Sequence, residues 1–296
     1  MKRRRSSFKG QPKYPVNEQV RDTTHETRLA SGGCYQSFGS PEDFAAMCEK
    51  VGVHFEGSGW RSRESSTQAL RLLRQGDSKR VEAAEAICDK FQNDIDLGQS
   101  WPQWELDVCG AYPCVPNYLA GVPETMYRKQ VVQSDRAPIT IWVCVTSSGG
   151  CEAEALEKRG IAIQALAMAL SVTRQVQIRI FSGLDGGRGD HIMSVDLPTP
   201  AVLSQAAFML ASQSFSRGLT YEFLEKATGA GGGWPRSVGH GSYEQRTADW
   251  KKLLPIADVD LVFPHVFFMD PDYTDPIKYC KTIFDKVTSG ELAPIE

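Results

Sequence analysis

The chain has 296 residues, 41% hydrophobic and 23% charged, enough apolar material for one large core or two modest ones. Its formal net charge of -3 gives no reason to expect nucleic acid over the whole surface, and no run of about 18 apolar residues exists to cross a bilayer. The eight cysteines, at 34, 48, 88, 109, 114, 144, 151 and 280, are scattered and several sit in apolar patterns, which reads as reduced, buried thiols in a cytoplasmic protein.

Residues 1–40 read as a flexible arm, polar throughout and glycine- and serine-rich near Gly32 and Gly33. Lys2, Arg3, Arg4, Arg5 and Lys9 make its start basic, and it lacks the apolar centre of a signal peptide. Such an arm is either a solvated tail or a phosphate-neutralising segment that binds nucleic acid without a fold of its own.

Residues 41–135 read as a helical and aromatic-loop region packed on the main core. Ser40 is a natural N-cap, Pro41 suits the first turn, and Phe44, Met47, Cys48 and Val51 then share one face. Two helices follow over residues 65–92, split at Gly76-Asp77-Ser78, with Asp77 or Ser78 capping the second and Trp60 packing at the entry. Residues 101–129 carry four prolines and the aromatics Trp101, Trp104, Tyr112 and Tyr118. The prolines forbid a long regular element, although 104–108 suits a short strand. The aromatic segment is either a brace over the core or a recognition surface.

Residues 136–296 form the main domain, predicted as a three-layer α/β fold with a mostly parallel sheet between helices. Ile139 to Val145 is a buried strand ending in Ser147-Ser148-Gly149-Gly150. A helical pattern follows, with Ile161, Ile163, Leu166 and Leu170 on its apolar side and Arg159, Gln164 and Arg174 as polar edges. Val176, Ile178 and Ile180 then alternate as a second strand, completing a βαβ unit. The carboxyl end of its first strand is the usual functional edge, so residues 146–151 are the place to look. Further on come a strand at 191–197, helices at 201–214 and 218–227, a glycine-rich loop before Trp234, a parallel strand at 259–263 and a last helix from Pro276 to about Ser289. Asp270, Asp272 and Asp275 offer oxygen ligands to a divalent cation, though not at the spacing of a calcium loop, and Asp275 also suits a helix cap before Pro276.

This order of strand, serine/glycine turn, helix, alternating strand and threonine-led helix at Thr199 resembles a von Willebrand factor A-like domain over residues 136–288. In that family the first turn carries an Asp-x-Ser-x-Ser metal-ion-dependent adhesion motif, and a later threonine and aspartate complete a magnesium site that grips an acidic partner residue. Here Ser148 matches the first motif serine and Thr199 the later threonine, while Thr146 replaces the aspartate and Gly150 the second serine. The resemblance therefore implies the scaffold with a degenerate site, because magnesium needs carboxylate ligands to offset its dehydration. Asp185, Asp190 or Asp270 would have to rebuild it. The basic arm and aromatic loop also look like those of uncharacterised bacteriophage proteins.

The expectation is a noncatalytic protein-binding or assembly factor with no cofactor and no membrane partner. It would recognise another protein through Thr146, Ser147, Ser148, Gly149, Gly150, Tyr112, Tyr118 and Asp185, with the anion-accepting amides of the following helix nearby. One alternative is a nucleic-acid-associated protein using Lys2 to Lys9. Another is a hydrolase built on Ser148, which lacks the nucleophile-elbow pattern, or on Cys151 with His191 or His265.

Overall fold

A strand as uniformly apolar as Ile139–Cys144 is stable only when covered on both faces. In the computed structural model it lies inside a seven-stranded mixed, mostly parallel sheet with helices on either side. The structure describes residues 26–29, 33–57, 62–93, 104–109, 112–113, 115–123, 125–129, 138–172, 174–185, 190–197, 203–228, 234–235, 242–257 and 260–289.

In chain order the elements are β1 (Glu26–Arg28), β2 (Cys34–Phe38), α1 (Pro41–Lys50), α2 (Ser66–Gln75), α3 (Ser78–Asn93), β3 (Trp104–Asp107), β4 (Tyr112–Pro113), α4 (Val115–Leu119), β5 (Met126–Lys129), β6 (Ile139–Cys144) and α5 (Ala153–Ser171). They continue with β7 (Val176–Asp185), β8 (Asp190–Asp196), α6 (Leu203–Ala211), a π-helical turn (Ser214–Leu219), α7 (Thr220–Thr228), β9 (Trp234–Pro235), α8 (Tyr243–Leu253), β10 (Leu261–Phe263), α9 (Pro271–Thr274) and α10 (Pro276–Ser289). The large sheet runs β1-β2-β8-β7-β6-β10, with the short β9 also on β7. β6 pairs in parallel with β7, placing Ile141 beside Ile178 and Val143 beside Ile180, and with β10 on its other side. β7 and β8 form an antiparallel hairpin.

The alternation of each strand divides the core in two. Ile141, Val143, Ile180, Met193 and Val195 point into a large cluster with Phe44, Leu73, Phe91, Leu166, Phe208 and Phe284 from the helices. On the opposite face Trp142, Cys144 and Phe181 meet Trp250 of α8, whose ring stands edge-on 4.9 Å from Phe181. Within the larger layer α5 and α6 touch backbone to backbone, since a Cβ at Gly160 would lie 2.2 Å from the Leu210 carbonyl oxygen.

Local signals account for many boundaries. Ser40 caps α1 by accepting the Asp43 N–H at 3.1 Å, Pro41 opens it, and Asp275 accepts the Lys278 N–H at 3.2 Å ahead of α10. Two expectations are corrected. Cys34–Phe38, assigned to the arm, is a strand in parallel register with β8. It buries Tyr35 on one face and Phe38 on the other, and the Tyr35 and Ser194 hydroxyls share a hydrogen bond at 2.7 Å. With Gln36 buried as well, the strand lacks the alternation that would announce it. Arg159 and Gln164, assigned to the polar edge of α5, are also buried, because both find partners inside. Gln164 donates to the Leu203 carbonyl at 3.0 Å.

The proline-rich stretch forms a separate three-stranded antiparallel sheet, β3-β5-β4, carrying the single-turn α4. Its strands pair with one another and not with the large sheet. Trp60, Trp101 and Thr199 lie outside the described residues.

Candidate functional site

The crossover from β6 runs through α5 to β7, whereas β10 is added on the other side of β6. The chain thus departs from the β6–β10 seam, and open α/β sheets carry ligands at the carboxyl end of such a reversal. Pairing at this seam continues past the regular strands. Ser147 bridges Val266, the Val266 N–H donates to the Thr146 carbonyl at 3.3 Å, and the Ser148 N–H donates to the Val266 carbonyl at 3.1 Å.

The expected partner-facing residues divide here. Thr146 and Ser147 are buried. The Thr146 hydroxyl lies 3.0 Å from that of Ser182 and accepts the Gly183 N–H at 3.4 Å, so it is committed to β7. Ser148 is half-buried, and Gly149 and Gly150 form the exposed tip. Asp185 is the last residue of β7, Tyr112 opens β4, and Tyr118 is exposed on α4. Tyr112 and Tyr118 therefore belong to a different sheet from the turn. Lys2, Arg3, Arg4, Arg5 and Lys9 lie outside the described residues.

Arg217 is the residue that sequence reasoning missed. It sits in the π-helical turn and reaches across to the serine/glycine turn. Its Nη2 donates to the carbonyls of Ser148 at 3.0 Å and Cys151 at 2.7 Å, and its Nε to the Ser147 hydroxyl at 3.3 Å. Burial pushes the Arg217 pKa down, with nearby Cys151 and Tyr273 acting the other way, yet a guanidinium keeps its charge. A protein cation thus holds the carbonyls of the turn. π-helical turns occur disproportionately at functional sites, but no local pattern in SQSFSRGL marks one.

Below the turn lies a buried ionic layer. Arg159 donates from Nε to Asp272 Oδ2 at 2.7 Å, from Nη1 to the Cys144 carbonyl at 3.3 Å and from Nη2 to the Pro264 carbonyl at 3.0 Å. It therefore ties the ends of β6 and β10 together from beneath. Asp272 is fully buried and also accepts the Tyr243 hydroxyl at 3.4 Å. Burial raises its pKa, and Asp270 adds to that, while the Arg159 charge opposes them. Asp270 is ion-paired with Arg246 and accepts the Phe267 N–H at 2.6 Å, closing the turn over residues 267–270. The acidic trio is therefore not a cation site: Asp270 closes a turn, Asp272 neutralises an arginine and Asp275 caps a helix. Among the described residues no group of three His, Cys, Asp or Glu side chains is arranged to hold a metal.

Cys151 is buried, with its thiol directed at the Val266 carbonyl at 3.5 Å, and burial pushes its pKa up against the opposing charge of Arg217. The two histidines considered for it are engaged elsewhere. His265 accepts the Trp250 indole N–H at 3.4 Å, and His191 lies against Cys34.

The fold and this edge define an α/β protein with a mixed sheet whose loops meet at a strand reversal. Residues 34–290 match the family model described as "Domain of unknown function (DUF7192)", and the chain belongs to that family. Neither a curated protein nor a solved structure matches it. No helix among the described residues is long and apolar enough to cross a membrane.

Proposed function

We propose that the chain is a noncatalytic protein-binding or assembly factor, built on a von Willebrand factor A-like scaffold with a degenerate adhesion site. The partner sits on the carboxyl edge, over the Ser148-Gly149-Gly150 tip and the neighbouring turn after β10. The observation that carries this reading is that turn. Asp270, held by Arg246, closes it, and Phe267 is turned inward, 5.8 Å from the His265 ring and under the Arg246 guanidinium. The closed turn presents Phe268, 57% exposed, and Met269, 78% exposed, at its tip. Large apolar side chains held outward on a rigid turn suit the buried centre of a protein interface. Arg217 supports the degenerate-site part of the reading, since a guanidinium held against the carbonyls of the turn repels a divalent cation.

The test is comparative capture with the full-length chain and a Phe268→Asp/Met269→Asp double variant. Both positions are exposed, so the variant is expected to keep its stability within about 0.5 kcal/mol. Proteins retained by the wild type and lost from the variant are the expected result. Identical capture by both chains, with stability unchanged, removes this edge as the binding surface.

A further inference from the structure

We propose that Cys34 is a thiol-exchange site, in which a thiol hydrogen-bonded to the His191 imidazole attacks low-molecular-weight disulfides and carries the resulting mixed disulfide. Cys34 Sγ lies 3.2 Å from His191 Nδ1, and both residues are partly exposed. The two are register partners at the start of β2 and β8, and His191 is in turn the partner of Leu184 near the end of β7. The pair therefore lies at the carboxyl edge of β7, two strands from the serine/glycine turn.

The approach depends on Gly33. A Cβ there would lie 1.7 Å from the Asp190 carbonyl oxygen, so only glycine lets β2 begin directly against the first residue of β8. The juxtaposition of Cys34 and His191 follows from that contact together with the parallel register. The other described thiols differ in setting. Cys48, Cys88, Cys144, Cys151 and Cys280 are buried, and Cys109 is exposed. Burial pushes Cys144 up to about 11, which leaves it almost wholly in the unreactive thiol form at neutral pH.

An imidazole in hydrogen-bond contact supplies what a nucleophilic thiol needs, an acceptor for its proton and a positive charge beside the thiolate. In the exchange the Cys34 proton passes to His191, and the Cys34 sulfur bonds to one sulfur of the disulfide. The second sulfur leaves as a thiolate and takes the proton back from the imidazolium. Cys34 is oxidised, the departing thiol is reduced, and the disulfide is the oxidant. Asp190 precedes His191 in β8, and the helices packed on these strands are charged: α7, on β7 and β8, carries Glu222, Glu225 and Lys226, and α1, on β2 and β8, carries Glu42, Asp43, Glu49 and Lys50.

The full chain, treated with 4,4′-dithiodipyridine, tests the proposal by thiopyridone release, with modified positions assigned by peptide mass mapping. Exposed Cys109 is the reference within the same molecule. A thiol that can pass its proton to a neighbouring imidazole holds more thiolate at acid pH than one that cannot, and the gain in thiolate outweighs the loss of nucleophilicity. Cys34 is thus expected to react about tenfold faster than Cys109 at pH 6. In His191→Gln that advantage is expected to vanish at pH 6, with the pH 9 rate kept within about twofold and circular dichroism unchanged. Equal rates for Cys34 and Cys109 in the wild-type chain, or a Cys34 that reacts only after unfolding, overturns the proposal without any variant. A His191→Gln chain that keeps the fast reaction overturns the role of the imidazole.

Discussion

The carboxyl edge of the large sheet and the small β3-β5-β4 sheet handle polarity in opposite ways. Beneath the edge Arg159, Arg246 and Asp272 are almost fully enclosed, 4%, 2% and 0% exposed. On and beside α4, Tyr118 and Leu119 stand 72% and 78% exposed. Charges are tolerated inside because each meets a partner of opposite sign or a strand-end carbonyl, and the arrangement then fixes where two strands end. Apolar groups remain outside on the small sheet because three short strands and one helical turn have too little mass to enclose them. The edge also sets Phe268 and Met269 outward, but there the turn that carries them is held from beneath by the Arg246–Asp270 ion pair.

The comparison breaks most visibly at the ionic layer. Asp272→Ala leaves Arg159 enclosed without its carboxylate and is expected to destabilise the chain by about 3–5 kcal/mol, read by chemical denaturation. Arg217→Ala should be smaller, about 2–3 kcal/mol, since it strips charged donors from the Ser148 and Cys151 carbonyls. Its distinguishing sign is faster amide hydrogen exchange over residues 147–151 with the small sheet unchanged. Equal acceleration in both sheets would show that Arg217 supports the whole fold and not the turn.

Alkaline pH attacks the same enclosed side. Burial raises Cys144 to about 11, Tyr279 to about 12 and Tyr243 well above its ordinary value. The unfolded chain releases these protons first, from about pH 9 for thiols and pH 10 for phenols, so it is favoured as pH rises. Stability is expected to be intact below pH 9 and to fall between about pH 9 and 12, by about 3 kcal/mol for Cys144 alone. A denaturation midpoint that stays flat over that interval would contradict the enclosure of these groups. The smallest effect belongs to the small sheet. Tyr118→Ser with Leu119→Ser is expected to move stability by no more than about 0.5 kcal/mol, because the side chains are already in water. A loss of several kcal/mol would mean that they brace the core.

Much of the scaffold is legible in the sequence because its signals are local. The apolar run of β6, the alternation of β7 and the caps at Ser40 and Asp275 each announce an element within a few residues. The expected βαβ unit and the last helix from Pro276 to Ser289 appear, and the strand expected at 259–263 is present as Leu261–Phe263. What escapes local reading is long-range pairing. Arg159 looks like a surface residue until Asp272, 113 positions later, is brought beneath it. Arg217 gives no sign that it will reach a turn nearly 70 positions earlier, its Nη2 donating to the Ser148 carbonyl. The serine/glycine turn was found at the expected edge, but which of its groups face inward depends on those distant partners. Thr146 in particular looks available in the sequence and is enclosed in the structure, through Ser182 on the neighbouring strand.

The parallel docking of β2 on β8 also has a kinetic meaning. Cys34 and His191 are separated by 157 positions, and contacts of such separation order the most chain before they return any stabilisation. The hairpin of β7 and β8 closes locally, so a sheet of β6, β7, β8 and β10 can assemble before β2 joins it. Refolding followed by pulse labelling should therefore protect the β7–β8 amides first and those of residues 34–38 last. Docking of β2 marks the point at which the edge of the sheet is complete.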